Sequence, residues 1–257
     1  MSELFRLDGM RVSYGKREII HNVSLHIQAG EFCALLGLNG SGKTTILHAA
    51  CGLIPMAGHC MIDAQDCTAL HERKRAQLIS FIPQTCGLSG GKTALEVVLM
   101  GFNARLGLLE SPSAAQKAQA LHALDKLGCA EFAQADFGAL SQGQRQLVIL
   151  ARCIVQDTPV MLMDEPDSAL DFLNRHMVLE KIQTLIKAEN RAGLITLHDP
   201  NFAMAYCDRL LLLRDGALTA ELDMRTVDAV EVREKLSLIY GAIELLPHKN
   251  SYLMGKA

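Results

Sequence analysis

Residues 37 to 44 (Gly37, Leu38, Asn39, Gly40, Ser41, Gly42, Lys43, Thr44) fit the pattern G-x-x-x-x-G-K-[ST] at every fixed position. Nothing else in the chain narrows its possible folds as much. Glu31 to Leu36 just before is a short apolar strand, and Gly42 to Gly52 reads as a helix, so the order is strand, loop, helix. In such a frame glycines let backbone N–H groups turn inward around a phosphate, and the helix directs its positive end at the same point. Lys43 is then placed to reach β- and γ-phosphates and Thr44 to ligate Mg²⁺, with Thr45 completing the nucleotide-binding set. The competing reading is a glycine-rich turn that binds nothing. The flanking strand and helix weigh against it, and the expected ligand is a nucleoside triphosphate.

A second feature bears on the same chemistry. Four hydrophobic residues, Val160 to Met163, lead into Asp164 and Glu165, so both acids leave the end of a buried strand. In a parallel sheet that is the end at which ligands bind. Asp164 is expected in the Mg²⁺ shell, and Glu165 is placed to polarise an attacking water.

Strands alternate with helices along most of the chain, which indicates a parallel α/β sheet wrapped by helices. Leu4 to Tyr14 and Val23 to Ile27 read as strands, as do Gly58 to Ile62, Leu78 to Pro83, Leu194 to Leu197 and Leu210 to Leu213. Between Gly90 and Leu140 the pattern turns alanine- and leucine-rich and helical, broken at Pro112, and reads as an inserted helical lobe. Ser141 to Gln156 is helical with a serine in the cap position, and Leu173 to Lys187 is another helix. From Glu221 the chain is polar, with one helix-like run from Val227 to Tyr240.

Composition excludes several functions. With 25 basic and 28 acidic side chains the net charge is -3, and no Lys/Arg run is longer than Arg73 to Arg75, so nucleic-acid binding is not expected. Eight cysteines are scattered without a CxxC pair, and nine histidines show no HxxxH or HExxH spacing, which is not how zinc or iron–sulfur ligands fall. Reduced cysteines acting as small apolar residues are expected instead. Glu3, Arg6 and Asp8 interrupt the apolar residues at the start, unlike a secretory signal, and no apolar run approaches the ~20 residues of a bilayer span. Membrane association is therefore expected only through a partner.

Leu140, Ser141, Gln142, Gly143 and Gln144, followed by the helix from Arg145 to Arg152, resemble the LSGGQ signature of the ABC superfamily. The resemblance to that family's nucleotide-binding domains runs from about Leu4 to Leu222. Tyr14 resembles the aromatic residue that stacks on adenine, and Gln84 the glutamine that links Mg²⁺ to a membrane-subunit groove. Ser168 to Asp171 resembles the D-loop, and His198 the switch histidine at the γ-phosphate. Taken singly, Tyr14 reads as packing and Gln84 as a solvated side chain; in order and together they do not. Gln142 departs from the pattern, where the family usually has glycine.

The resemblance implies a P-loop NTPase (RecA-like) core with a parallel sheet, a small N-terminal antiparallel β part and the inserted helical lobe. It assigns residues 1–222 to the ATPase domain, with the lobe at about 90–155, and leaves 223–257 as a short tail. It implies ATP and Mg²⁺ as cofactors and a second copy as partner, head to tail, so that Ser141, Gly143 and Gln144 of one copy close on the ATP held by the other. Glu165 and His198 are the catalytic residues it implies; Thr44, Gln84 and Asp164 are the metal-binding ones.

Three kinds of protein compete. A kinase or GTPase lacks a use for residues 140–144, and the chain has no N-K-x-D motif. A soluble ABC ATPase of iron–sulfur assembly remains open. A transporter motor fits better: Ala76 to Gln84, Ser141 to Arg152 and His198 to Asn201 look like importer ATPases for ferric siderophores, haem and vitamin B12, with molybdate or tungstate importers a related subgroup. That reading implies an integral membrane permease as partner, a solute-binding protein indirectly, and a position on the cytoplasmic face of the plasma membrane.

Overall fold

Two large sheets organise the chain, and their burial patterns differ for a reason visible in the residues. The computed structural model describes residues 2–84, 91–107, 109–248 and 251–257. Cys86, and Gly90 at which the helical lobe is expected to begin, lie outside them. The first sheet is antiparallel and contains β1 (Glu3–Tyr14), β2 (Arg17–Gln28), β4 (Ala57–Ile62) and β5 (Gln65–Asp66) in the order β2-β1-β4-β5. Along β2, Val23, Leu25 and Ile27 are buried while Ser24 and His26 are exposed, the alternation of a one-sided strand.

The second sheet has the order β10-β9-β3-β8-β7-β6, built from β3 (Phe32–Leu36), β6 (Ile79–Ile82), β7 (Val160–Asp164), β8 (Ala192–Thr196), β9 (Arg209–Arg214) and β10 (Ala217–Asp223). All are parallel to their neighbours except β10, which returns antiparallel on β9. Every residue of β3, β7 and β8 is buried, because helices or the first sheet cover both faces. Successive side chains therefore enter different cores. Phe32, Ala34 and Leu36 pack with the helices of the lobe, whereas Cys33 and Leu35 pack with the first sheet and α1 (Lys43–Ala50).

Over the stretch expected to form the lobe, the described residues form α3 (Ala94–Leu99), α4 (Ala114–Lys126) and α5 (Gln142–Gln156), the short α2 (Glu72–Arg75) coming before them. Each of α3, α4 and α5 starts with a reciprocal capping box: Thr93 with Glu96, Ser113 with Gln116, and Ser141 with Gln144. Val97, Val98, Leu124 and Leu147 share one continuous core with the sheet residues Phe32 and Leu36. The seven cysteines among the described residues are unbridged, and burial pushes the thiols of Cys60 to about 12 and Cys129 to about 11. They act as apolar packing groups.

Beyond α6 (Phe172–Ala188), the structure contains elements that sequence pattern did not assign: α7 (Pro200–Tyr206), β10, and a hairpin of β11 (Ile243–His248) and β12 (Ser251–Lys256) after α8 (Ala229–Tyr240). Val232, Leu236, Ile239 and Ile243 are buried in the same core as the lobe and sheet. Residues 229–248 and 251–256 thus fold back onto the domain, through contacts of α8 with β9 and β10 and of β12 with α7.

Candidate nucleotide site

The carboxyl ends of β3, β8, β7 and β6 lie side by side in the sheet, and each releases a residue of the predicted site. From β3 comes the loop of residues 37–42, from β6 Gln84, from β7 Asp164 and Glu165, and from β8 His198. A cavity of about 380 Å³ opens there, lined by Asn39, Gly40, Gly42, Lys43, Thr44 and Thr45 on one side and by Gln84, Glu165 and His198 on the other. Ile19 of β2 closes its edge.

Backbone geometry explains the loop's glycines. Gly42 holds φ +105° as the cap of α1, in the left-handed region that costs an L side chain strain. At Gly37 a β-carbon would lie 2.3 Å from the Leu213 carbonyl oxygen, so only glycine fits between the loop and β9. Lys43 Nζ donates to the carbonyls of Gly37 (2.8 Å) and Leu38 (3.3 Å), wrapping the ammonium around the loop. Burial pulls the Lys43 pKa below its ordinary value, against the opposing pull of Glu165 and Asp164. Ser41 Oγ is buried among these groups and has no hydrogen-bond partner among the described residues, a hydroxyl placed to donate to an oxygen entering the loop.

Glu165 sits at φ +46°, a left-handed conformation that is strained for a residue with a β-carbon. Its backbone N–H donates to Thr196 Oγ1 (2.9 Å), whose hydroxyl in turn donates to Asp164 Oδ1 (2.7 Å). Thr196 therefore fixes both acids, and it can do so because β7 and β8 pair Asp164 with Thr196 in register. The Glu165 carboxylate stands between the other two strand ends: its Oε2 accepts from Gln84 Nε2 at 2.6 Å and meets His198 Nε2 at 2.7 Å. Asp167, two residues on, is buried beside Arg175 (3.4 Å), and burial raises its pKa.

Among the described residues no cluster of three or more His, Cys, Asp or Glu side chains could hold a metal ion alone. Mg²⁺ is usually held by one or two carboxylates together with substrate phosphates and water. The oxygen donors of Thr44, Gln84 and Asp164 around a phosphate loop suit that mode of binding.

The structure brings together Asn39, Gly40, Gly42, Lys43, Thr44, Thr45, Gln84, Glu165 and His198 around one cavity. Tyr14 stands at the end of β1, half exposed, outside the residues that line it. Ser141, Gly143 and Gln144 form the first turn of α5 and its cap, and none lines the cavity either. Ile19 and Thr196 escaped sequence reading. Their roles arise from the packing of separate strands, and no local motif marks either one.

A family model described as ABC transporter matches residues 20–168. The phosphonates import ATP-binding protein PhnC 1 of Pseudomonas aeruginosa is 34% identical over 232 residues, covering 85% of this chain and 83% of its own. A probable iron chelatin transport ATP-binding protein of Helicobacter pylori is 29% identical over 254 residues, 98% of each chain. Among solved structures, an inward-facing metal-chelate type ABC transporter superposes with a TM-score of 0.83 at 26% identity, covering 99% of this chain and 96% of that one. A bacterial ABC transporter cassette solved as a dimer gives 0.76 at 28% identity, with 87% and 100% covered.

Proposed function

The chain belongs to the ABC transporter family as an ATP-binding subunit with ATPase activity, and on that premise we propose that it drives an importer in which two copies close head to tail on two ATP molecules. The observation that carries the catalytic part is the single oxygen Glu165 Oε2, contacted by both Gln84 and His198 beside Lys43 in one cavity. In this reading residues 1–222 form the ATPase domain, with the lobe at about 90–155 inserted in it.

Lys43 and the N–H groups of residues 38–44 bind the β- and γ-phosphates; the lysine only has to turn from the loop carbonyls to the phosphate oxygens. Thr44, Gln84 and Asp164 would hold Mg²⁺, which would neutralise charge on those oxygens. Glu165 takes a proton from the attacking water, and His198 orients that water and the γ-phosphate. Tyr14 is assigned to the adenine and Ser141, Gly143 and Gln144 to the ATP of the opposite copy. Ser141, Gly143 and Gln144 lie outside the cavity of a single chain, as a site completed by a partner requires.

For cargo we propose a metal chelate, haem or cobalamin. Support comes from the iron chelatin relative and the metal-chelate transporter, which correspond to the chain over nearly its whole length, residues beyond 223 included. The phosphonate relative is more identical but shorter in its match. No described helix is long and apolar enough to cross a membrane, and we place the protein on the cytoplasmic face, held there by a permease.

The test of the shared site mixes two damaged chains. Lys43→Ala and Ser141→Arg each leave two defective sites in a homodimer, but a mixed dimer collects both lesions in one site and keeps the other whole. Random exchange makes about half the dimers mixed. ATP retained after rapid desalting should reappear only in the mixture. Confirmed exchange without retention removes the head-to-tail arrangement. Cargo and partner are tested by co-purifying the permease and measuring ATPase stimulation by each solute class with its solute-binding protein; stimulation by a phosphonate alone would replace the metal-chelate reading.

A further inference from the structure

His198 lacks the packing that its proposed task requires. Its side chain is 48% exposed, and its polar contact among the described residues is the Glu165 carboxylate it is meant to work with. The direction of the ring is therefore set by the main chain on either side. Upstream, Leu197 is fully buried at the end of β8. Downstream, the chain enters α7 within two residues: Asp199 caps it by accepting from Asn201 N–H at 2.9 Å, and Pro200 opens its first turn.

A helix of seven residues does not hold its own shape in water, so α7 must be fixed from outside. Its last turn is tied to α6, where Gln183 Nε2 donates to the Tyr206 carbonyl. Its first turn is tied to the C-terminal hairpin. The Asn201 side chain meets the main chain of Met254 twice: Oδ1 accepts from Met254 N–H at 2.6 Å, and Nδ2 donates to the Met254 carbonyl at 3.3 Å. Met254 lies on β12 opposite Leu245, and both its polar groups point away from the hairpin ladder toward α7. Ser251 Oγ adds a bond to the Met204 carbonyl at 2.9 Å. The hairpin is itself anchored, since Ile243 is buried and Leu245, Tyr252 and Met254 pack against the main core.

We propose that Asn201 is a positioning residue for ATP hydrolysis: through Met254, the C-terminal hairpin fixes the first turn of α7 and so aims His198 at the Glu165 site. This rests on the reading of His198 as the residue that orients water and γ-phosphate. The hairpin then acts as a strap on the catalytic apparatus and not only as a cover for the core. It also makes the final residues of the chain a place from which hydrolysis can be slowed without touching ATP binding.

The test uses the full-length chain. Asn201→Ala removes both bonds from one side, and Met254→Pro removes the N–H from the other at a strand edge, where proline is tolerated. Each should lower kcat about ten-fold, the scale of a misaimed catalytic group, with KM for ATP within about two-fold. In a His198→Ala background, Asn201→Ala should change kcat less than about two-fold, because its effect passes through the missing ring. The ¹⁵N resonances of the His198 imidazole should shift in both single variants. An Asn201→Ala enzyme with normal kcat, an equal loss in both backgrounds, or a loss confined to KM overturns the proposal. If His198→Ala alone hydrolyses at the normal rate, the underlying role of His198 fails as well; if it is impaired while Asn201→Ala is not, only the strap fails.

Discussion

Replacing Glu165 by glutamine separates binding from chemistry more cleanly than any other single change in the cavity. The amide keeps the length and planarity of the carboxylate, and its oxygen can still accept from Gln84 Nε2 and His198 Nε2, the contacts now made at 2.6 and 2.7 Å. The backbone is held independently through Thr196 Oγ1, so the strained φ of +46° is not released. What disappears is the ability to accept a proton. Loss of a positioned general base costs about 10²–10⁴ in rate, or roughly 3–5 kcal/mol of transition-state stabilisation. ATP affinity should hold or rise, because one negative charge near the triphosphate is gone while Lys43 and the loop stay in place. Phosphate release under steady-state conditions, paired with binding of a fluorescent ATP analogue, measures both quantities. A variant that hydrolyses ATP at more than about a tenth of the normal rate refutes the assignment of Glu165 as base; lost nucleotide binding refutes the claim that its contacts survive.

Gly37→Ala should lower nucleotide affinity more than ten-fold and stability by about 1–3 kcal/mol, since the new methyl would stand 2.3 Å from the Leu213 carbonyl oxygen and the backbone must move; analogue binding and urea unfolding read the two effects. Arg191→Met should cost about 2 kcal/mol in urea unfolding, because the buried guanidinium joins Glu189, Asp157 and the Cys153 carbonyl, whereas Lys126→Met, at a half-exposed pair with Glu189, should cost less than about 1 kcal/mol. In the Glu165→Gln background, Gln142→Gly should weaken the ATP-dependent dimer about five-fold by sizing chromatography, the worth of one hydrogen bond; a tighter dimer would mean that the Gln142 amide crowds the site.

How much of this was readable without coordinates follows from how local each feature is. The proposed phosphate loop occupies eight consecutive residues, and its strand and helix adjoin it, so its strand–loop–helix context was legible in the sequence. Asp164 and Glu165 were legible because an unbroken apolar strand delivers them. Thr196 was not: its hold on both acids depends on the register between β7 and β8, which no local pattern records. The hairpin after α8 escaped for a different reason. Its strands have six residues each, Pro247 interrupts one, and Leu246 and Leu253 are exposed, so neither alternation nor propensity marks them. Without that hairpin the first turn of α7 loses its bonds to Met254, and from sequence the chain after His198 reads as a loop.

Ser141 brings these threads to one point. Its Oγ accepts from Gln144 N–H at 3.3 Å, and the Gln144 side chain returns a bond from Ser141 N–H at 2.9 Å, so the pair that the resemblance assigns to a nucleotide already caps α5. The two roles are compatible. A hydroxyl that accepts through a lone pair retains its own proton to donate, and the Gly143 N–H in the first helical turn has no intrahelical acceptor. The cap holds this donor set rigid at the positive end of a fifteen-residue helix. The lining of its own chain's cavity includes none of Ser141, Gly143 or Gln144. In the head-to-tail pairing proposed above, this donor set would meet the ATP held by the other copy.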